Sequence, residues 1–242
     1  MKVLKFGGTS VASPESLKHV INIVKNSNER KIIIVSALAG VTNQLIEMAK
    51  LASEGNQRFN NHIQSLEIYH LKLIKYFIPV TQQSEVISFL KSQLNELEEI
   101  LKSLFKLNEI TSKSLSKISS FGEILSSTII FQILKHQNCD IQLKDTRELI
   151  FTQNINDREV VNHDLSSKKT NAYINKTKTN INIFPGFIAQ DENGNTTTLG
   201  RGGSDFTASL IANYINANIL EIWTDVSGIY TAHPKLVNQA QP

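Results

Sequence analysis

Two glycine-rich segments lie near opposite ends of the chain: Lys5-Phe6-Gly7-Gly8-Thr9-Ser10 and Gly200-Arg201-Gly202-Gly203-Ser204-Asp205. Each follows an apolar run and precedes a helical pattern, and each joins bare backbone donors to a cation and hydroxyls. Backbone N–H groups at a helix start, backed by a cation, hold phosphate oxygens or a carboxylate. A third segment, Thr224-Asp225-Val226-Ser227-Gly228-Ile229-Tyr230, leaves an apolar run with a carboxylate and turns at Gly228. Open α/β sheets bind ligands at such strand ends. Together the three suggest phosphoryl transfer.

Each segment has a plainer reading of its own. Gly7 and Gly8 let the backbone come close to a ligand, with Lys5 as a point charge beside it, but a lone Gly-Gly is also a tight strand-to-helix turn. The spacing matches neither the P-loop nor the G-x-G-x-x-G dinucleotide pattern. Arg201 offers the fork geometry that suits a carboxylate, and Ser204 reads as a helix cap. Asp205 either complements the helix dipole or holds a catalytic lysine, which Lys5 could supply. Glu123 begins an apolar helix, where an unpaired carboxylate is costly; it either serves the dipole or meets an ammonium-bearing substrate.

The elements that must position these groups alternate between strand and helix. Val3 to Phe6 reads as a short buried strand. Ser13-Pro14-Glu15 is a helix start, with a capping hydroxyl and proline in the first turn, and Leu17, Val20, Ile21 and Val24 follow at helical spacing. Ile32 to Val35 is a second strand ending at Ser36, and Thr42 could cap a helix through Ala52. Strand, small-residue loop and helix repeat as a parallel sheet requires.

From about 56 to 118 the pattern changes to a helical hairpin around Pro79. Ile87, Leu90, Leu94, Leu97, Leu101 and Leu104 form a heptad seam. Phe121 to Leu134 reads as a buried helix and Ile141 to Leu143 as a strand. Gln153 to Thr170 reads as loop-rich, with a helix from Leu165 to Lys178. Ile181 to Ile188 is a strand interrupted by Pro185-Gly186, which points to an edge, a bulge or a ligand-approach point. Asp191 to Asn195 is a hairpin turn, Phe206 to Ile215 a helix and Ile219 to Thr224 a strand.

Composition narrows the class. At 242 residues the chain can bury one large α/β core. A net charge of +3 with scattered lysines disfavours nucleic acid as a partner. Cys139 stands alone, so no intrachain disulfide forms and a reducing cytoplasm fits. The histidines show no metal-ligand spacing, so no metal site is expected. No signal peptide or membrane-spanning run is apparent.

The three segments resemble those of aspartokinases, in the amino acid kinase superfamily. The likeness rests on Lys5 to Val11, Gly200 to Ala208 and Trp223 to Thr231. Val35-Ser36-Ala37, Gly40-Val41-Thr42-Asn43 and Phe121-Gly122-Glu123 fall in the same order. It implies a three-layer αβα sandwich with a mainly parallel sheet, phosphorylating the side-chain carboxylate of L-aspartate with ATP and Mg²⁺. By position, Lys5 and Asp205 would be catalytic, with Asp205 orienting Lys5. Ser36, Thr42, Glu123, Phe187, Arg201 and Ser204 would bind aspartate. Lys5, Gly7, Gly8, Thr224, Asp225, Tyr230 and Lys235 would bind ATP. The family usually reads Thr-x-Asp-Pro-Arg after the tyrosine; here it is Thr231-Ala232-His233-Pro234-Lys235.

The family continues past the position of Pro242, so residues 1–242 are expected to be the N-terminal portion of a kinase catalytic domain without its regulatory ACT domains. A homo-oligomer is expected of the full-length protein. The competing expectation is a fragment that binds aspartate or nucleotide without turnover; a nicotinamide dehydrogenase lacks its fingerprint.

Overall fold

We obtained a computed structural model, which describes residues 1–26, 29–155 and 158–224, together with 228, 231, 232, 237, 239 and 241. The chain opens with β1 (Lys2–Phe6), α1 (Pro14–Lys25), β2 (Lys31–Val35) and α2 (Val41–Ser53). Three long helices follow: α3 (Phe59–Phe77), α4 (Ser84–Leu107) and α5 (Ser112–His136). Next come β3 (Ile141–Leu143), β4 (Thr152–Ile155), β5 (Arg158–Val161) and α6 (His163–Lys176). The last described elements are β6 (Ile181–Pro185), β7 (Ile188–Gln190), β8 (Thr196–Thr198), α7 (Gly203–Tyr214) and β9 (Ile219–Trp223).

Five strands form a parallel sheet in the order β3-β6-β2-β1-β9. Successive strand residues face opposite sides, and the chain exploits this on both. Leu4, Phe6, Ile33, Val35 and Ile183 pack into a core with α1 to α5. Val3, Ile32, Ile34 and Phe184 pack into a second core with α6 and α7. The all-buried run Lys31–Val35 is what a strand covered by helices on both faces needs. The result is the expected three-layer sandwich.

The parity also decides where Lys5 points. It shares a face with Val3, so its side chain runs under α7 rather than into the larger core.

The helices expected across 56–118 are present as α3 and α4, and their apolar stripes explain them. Leu90, Leu94, Leu97, Leu101 and Leu104 are all buried; Val86, not Ile87, takes the first buried position. Each such leucine contributes about 2 kcal/mol of transfer free energy, so packing rather than propensity fixes the pair. Ser13 caps α1 through a capping box with Ser16, as its sequence indicates.

Several expectations need correction. Glu123 does not begin a helix: α5 starts at Ser112, behind a Thr111–Ser114 capping box. Ser204 and Thr42 are not caps, because left-handed Gly202 and Gly40 occupy the cap positions and both hydroxyls sit inside the first turn. The stretch read as loop-rich holds the antiparallel pair β4–β5, with α6 starting immediately after Asn162. Strand β6 is not an edge; it lies between β3 and β2, and Pro185 ends it. The hairpin turn at Asp191–Asn195 joins β7 to β8, with Asp191 accepting backbone N–H bonds from Asn193 and Asn195. Among the described residues no helix is long and apolar enough to cross a membrane.

Candidate functional site

Parallel pairing brings strand ends together. Phe6 is in register with Val35 and with Trp223, and Val35 with Pro185. The four segments that follow, Gly7-Gly8, Ser36-Ala37, Gly186-Phe187 and Thr224, therefore leave the sheet at one margin, where open α/β sheets place ligands. A cleft of about 810 Å³ opens there between α2, α5 and the first turn of α7. Lys5, Gly8, Ser36, Thr42, Glu123, Phe187, Arg201, Ser204 and Asp205 all line it.

Lys5 is 7% exposed, and its Nζ lies 2.7 Å from Asp205 Oδ1. The strand supplies the cation from beneath and α7 supplies the carboxylate from its first turn, where an acid also suits the helix dipole. Asp205 thus sits in the first turn of α7 and pairs with Lys5 at once. Half of the Asp205 side chain remains exposed, so the ion pair lines the cleft without being sealed.

Gly7 donates its N–H to the Trp223 carbonyl, 3.1 Å away. Gly8 packs on the loop after β2: a Cβ there would sit 2.7 Å from the Ala37 oxygen and 3.2 Å from the Ala39 nitrogen. Only a residue without a side chain lets these two loops touch. Gly186 and Gly203 are tight in the same way, against Ser204 and Phe187 respectively.

Glu123 is the most perturbed group of the site. It is 3% exposed, and its Oε2 has no hydrogen-bond partner among the described residues. Burial pushes its carboxyl pKa up to about 8, against a smaller lowering by the Ala37 backbone N–H. The flanking cleft residues of α5, Ser112, Leu115, Ser116 and Ser119, carry no charge. A cationic ligand group would repay that desolvation.

Arg201 stands exposed between Gly200 and Gly202, both at φ +74°. The positive φ values turn the loop sharply, and Arg201 lines the same cleft as Glu123. Cation and buried acid in one cavity suit a zwitterion: a carboxylate for the fork, an ammonium for the acid.

Thr224 falls elsewhere. It lines a second cavity of about 460 Å³ with Thr9, Ser10, His19 and Trp223. Asp225, Tyr230 and Lys235, the remaining residues expected to meet nucleotide, lie outside the described residues, as does His233.

A family model for the amino acid kinase family matches residues 1–242. This chain belongs to the amino acid kinase family. It is 32% identical over 249 residues to the bifunctional aspartokinase/homoserine dehydrogenase of Buchnera aphidicola, covering 100% of this chain and 30% of that protein. It is also 32% identical over 250 residues to lysine-sensitive aspartokinase 3 of Escherichia coli, covering 99% of the chain and 52% of the relative. E. coli aspartokinase III solved in complex with aspartate and ADP superposes with a TM-score of 0.89 at 26% identity, over 100% of this chain and 53% of that one. The chain thus spans about half the length of these kinases, or less.

Some residues that shape this amino acid kinase cleft escape a reading of the sequence. Ser112, Ser116 and Ser119 line it one turn apart on α5 and lead to Glu123. Their spacing is a helical signal, but serines do not mark a helix as apolar residues do. Ser126, fully buried, donates to the Ser36 carbonyl at 2.8 Å and ties α5 to the end of β2. Thr207 is likewise buried beneath the site.

Proposed function

We propose that this amino acid kinase transfers the γ-phosphoryl group of ATP to the side-chain carboxylate of L-aspartate. The observation that carries this reading is the single cleft in which the Lys5–Asp205 pair, buried Glu123 and Arg201 converge. It is supported by the aspartate and ADP held by E. coli aspartokinase III, whose fold this chain shares over its whole length. In this reading residues 1–242 belong to one kinase catalytic domain that, in the full-length protein, assembles with further copies.

The chemistry asks little covalent work of the protein. The acceptor carboxylate is already ionised near neutral pH, so no general base is required. What is required is alignment of two anions and neutralisation of charge on the transferring group. Glu123 would take the α-ammonium and Arg201 the α-carboxylate, with Ser36, Thr42, Phe187 and Ser204 fixing the side chain between them. Lys5, oriented by Asp205, would neutralise the transferring phosphoryl oxygens, and the backbone at Gly7 and Gly8 would admit them closely.

Thr224, Asp225, Tyr230 and Lys235 are assigned to the nucleotide. Mg²⁺ bound to ATP would add charge neutralisation at the phosphates. Among the described residues no group of three His, Cys, Asp or Glu side chains converges, and Asp205 is the carboxylate nearest Lys5. That donor set fits an ion carried on the nucleotide's phosphates and waters rather than one held in a protein cage.

The test is a trap. With ATP, Mg²⁺, L-aspartate and hydroxylamine, the acyl phosphate is captured as a hydroxamate whose formation requires every component. No hydroxamate, with retained aspartate binding, would instead identify a binding module without turnover.

A further inference from the structure

Phe187 has a backbone that a bulky side chain avoids. Among the described residues four non-glycines have positive φ, and three are asparagines, which tolerate it; the fourth is Phe187, at φ +67°. The Gly186 carbonyl accepts the Ile188 N–H at 2.7 Å across it, closing a three-residue γ-turn of the strained hand. Such a conformation persists only where its surroundings over-determine it.

The surroundings do so bond by bond. The Gly186 N–H donates to the Val35 carbonyl at 2.8 Å, and the Phe187 carbonyl accepts the Leu199 N–H at 2.8 Å. The Phe187 N–H donates to Thr207 Oγ1 at 2.9 Å. This is a side-chain clamp on the strained residue itself. Thr207 is 0% exposed, and its hydroxyl donates to the Gly203 carbonyl at 2.8 Å, which fixes the hydrogen and leaves a lone pair for Phe187. The ring is wedged against the same turn, since a Cβ on Gly203 would come within 2.6 Å of it. One buried hydroxyl therefore joins the strained corner after β6 to the helix start that carries Ser204 and Asp205.

We propose that Thr207 is a positioning residue for the acceptor: it locks the Phe187 γ-turn so that the aromatic wall of the cleft and the first turn of α7 move as one unit. The proposal rests on the reading of this cleft as the aspartate site. Without the hydroxyl, Phe187 loses its N–H partner and the turn relaxes toward negative φ, taking the ring out of the cleft. Aspartate binding suffers, whereas Lys5 and the nucleotide side keep their geometry.

The experiment compares Thr207→Val, which keeps the shape but not the hydroxyl, with Thr207→Ser, which keeps the hydroxyl. Calorimetric titration of the chain with L-aspartate and, separately, with ADP gives the two affinities. Thr207→Val should bind aspartate about tenfold more weakly with ADP affinity unchanged, and Thr207→Ser should stay within about twofold of wild type for both. Equal aspartate affinity in Thr207→Val, or equal losses for both ligands with no rescue by serine, would overturn the proposal. A wild-type chain that does not bind aspartate would refute the acceptor reading itself. A crystal structure of Thr207→Val tests the clamp independently of any ligand: Phe187 should leave positive φ, and an unmoved turn would refute the lock. Should that variant not fold, Thr207→Ala, which places no methyl group against Phe187, takes its place in both measurements.

Discussion

Lys5 and Asp205 meet at 2.7 Å although one leaves the first strand and the other opens the seventh helix. The contact follows from strand parity: Lys5 shares the face of Val3, which α7 covers. Each group answers a need of the other, because a lysine this buried requires a counter-charge and a first-turn acid is favoured by the dipole.

Replacing Asp205 by Asn should therefore leave Lys5 in place but unaimed. We expect turnover to fall by about 10²-fold, comparable to losing one preorganised electrostatic partner. Aspartate affinity should change much less. Steady-state kinetics with separate kcat and KM for L-aspartate check this; a KM effect with kcat intact would assign Asp205 to substrate binding instead.

Glu123 predicts a pH-dependent stability of unusual sign. Its folded-state pKa of about 8 lies above the unfolded carboxylate value, so between roughly pH 4.5 and 8 the folded chain binds a proton the unfolded chain has lost. Stability of the ligand-free chain should fall as pH rises through that window. Glu123→Gln should flatten this slope and raise the melting temperature at pH 8, while abolishing aspartate binding. Thermal unfolding across pH, with and without L-aspartate, gives both results.

The same residue predicts proton release on binding. An ammonium beside Glu123 favours the carboxylate, so L-aspartate should bind more tightly as pH rises from 6 to 8. Calorimetry in buffers of different ionisation enthalpy should detect a proton leaving the complex. Identical heats in all buffers would mean that Glu123 is already ionised or does not meet the ligand.

His70 acts in the opposite direction and does not line the cleft. It is fully buried in α3, with Nδ1 bonded to the Leu66 carbonyl at 2.8 Å, and burial holds its pKa down to about 4. The folded chain keeps it neutral while the unfolded chain protonates below about pH 6.5, so stability is lost as pH falls from there toward 4. His70→Leu should remove this acid sensitivity without altering aspartate affinity. Chemical denaturation at pH 5 and pH 7 measures the difference.

Gly8 offers a steric test. Gly8→Ala places a methyl group 2.7 Å from the Ala37 oxygen, so one of the two loops must move. We expect a loss of about 1–3 kcal/mol in stability and a larger loss of phosphoryl transfer, measured by thermal unfolding and by turnover.

How far the sequence reveals this arrangement differs residue by residue. Lys5, Arg201 and Asp205 sit in glycine-rich segments at strand ends, where type and spacing announce anion chemistry. Glu123 is visible as an acid in an apolar run, but its reason for being there is not. The serine-rich start of α5 hides the helix, so the dipole looks like an explanation until Ser112 is seen to be the first helical residue. Ser204 and Thr42 look like caps by residue type; the left-handed glycines before them take that place. The Phe187 γ-turn has no local signature at all, since its strain is held by Val35, Leu199 and Thr207, which the fold alone assembles.

The most direct test of the account is hydroxamate formation from L-aspartate, ATP and Mg²⁺ by wild type and Lys5→Ala, with both shown to be folded. The account predicts ATP-dependent aspartyl hydroxamate from wild type and a loss of at least about 10²-fold in Lys5→Ala, with L-aspartate still bound by the variant. Undiminished product from Lys5→Ala would contradict it.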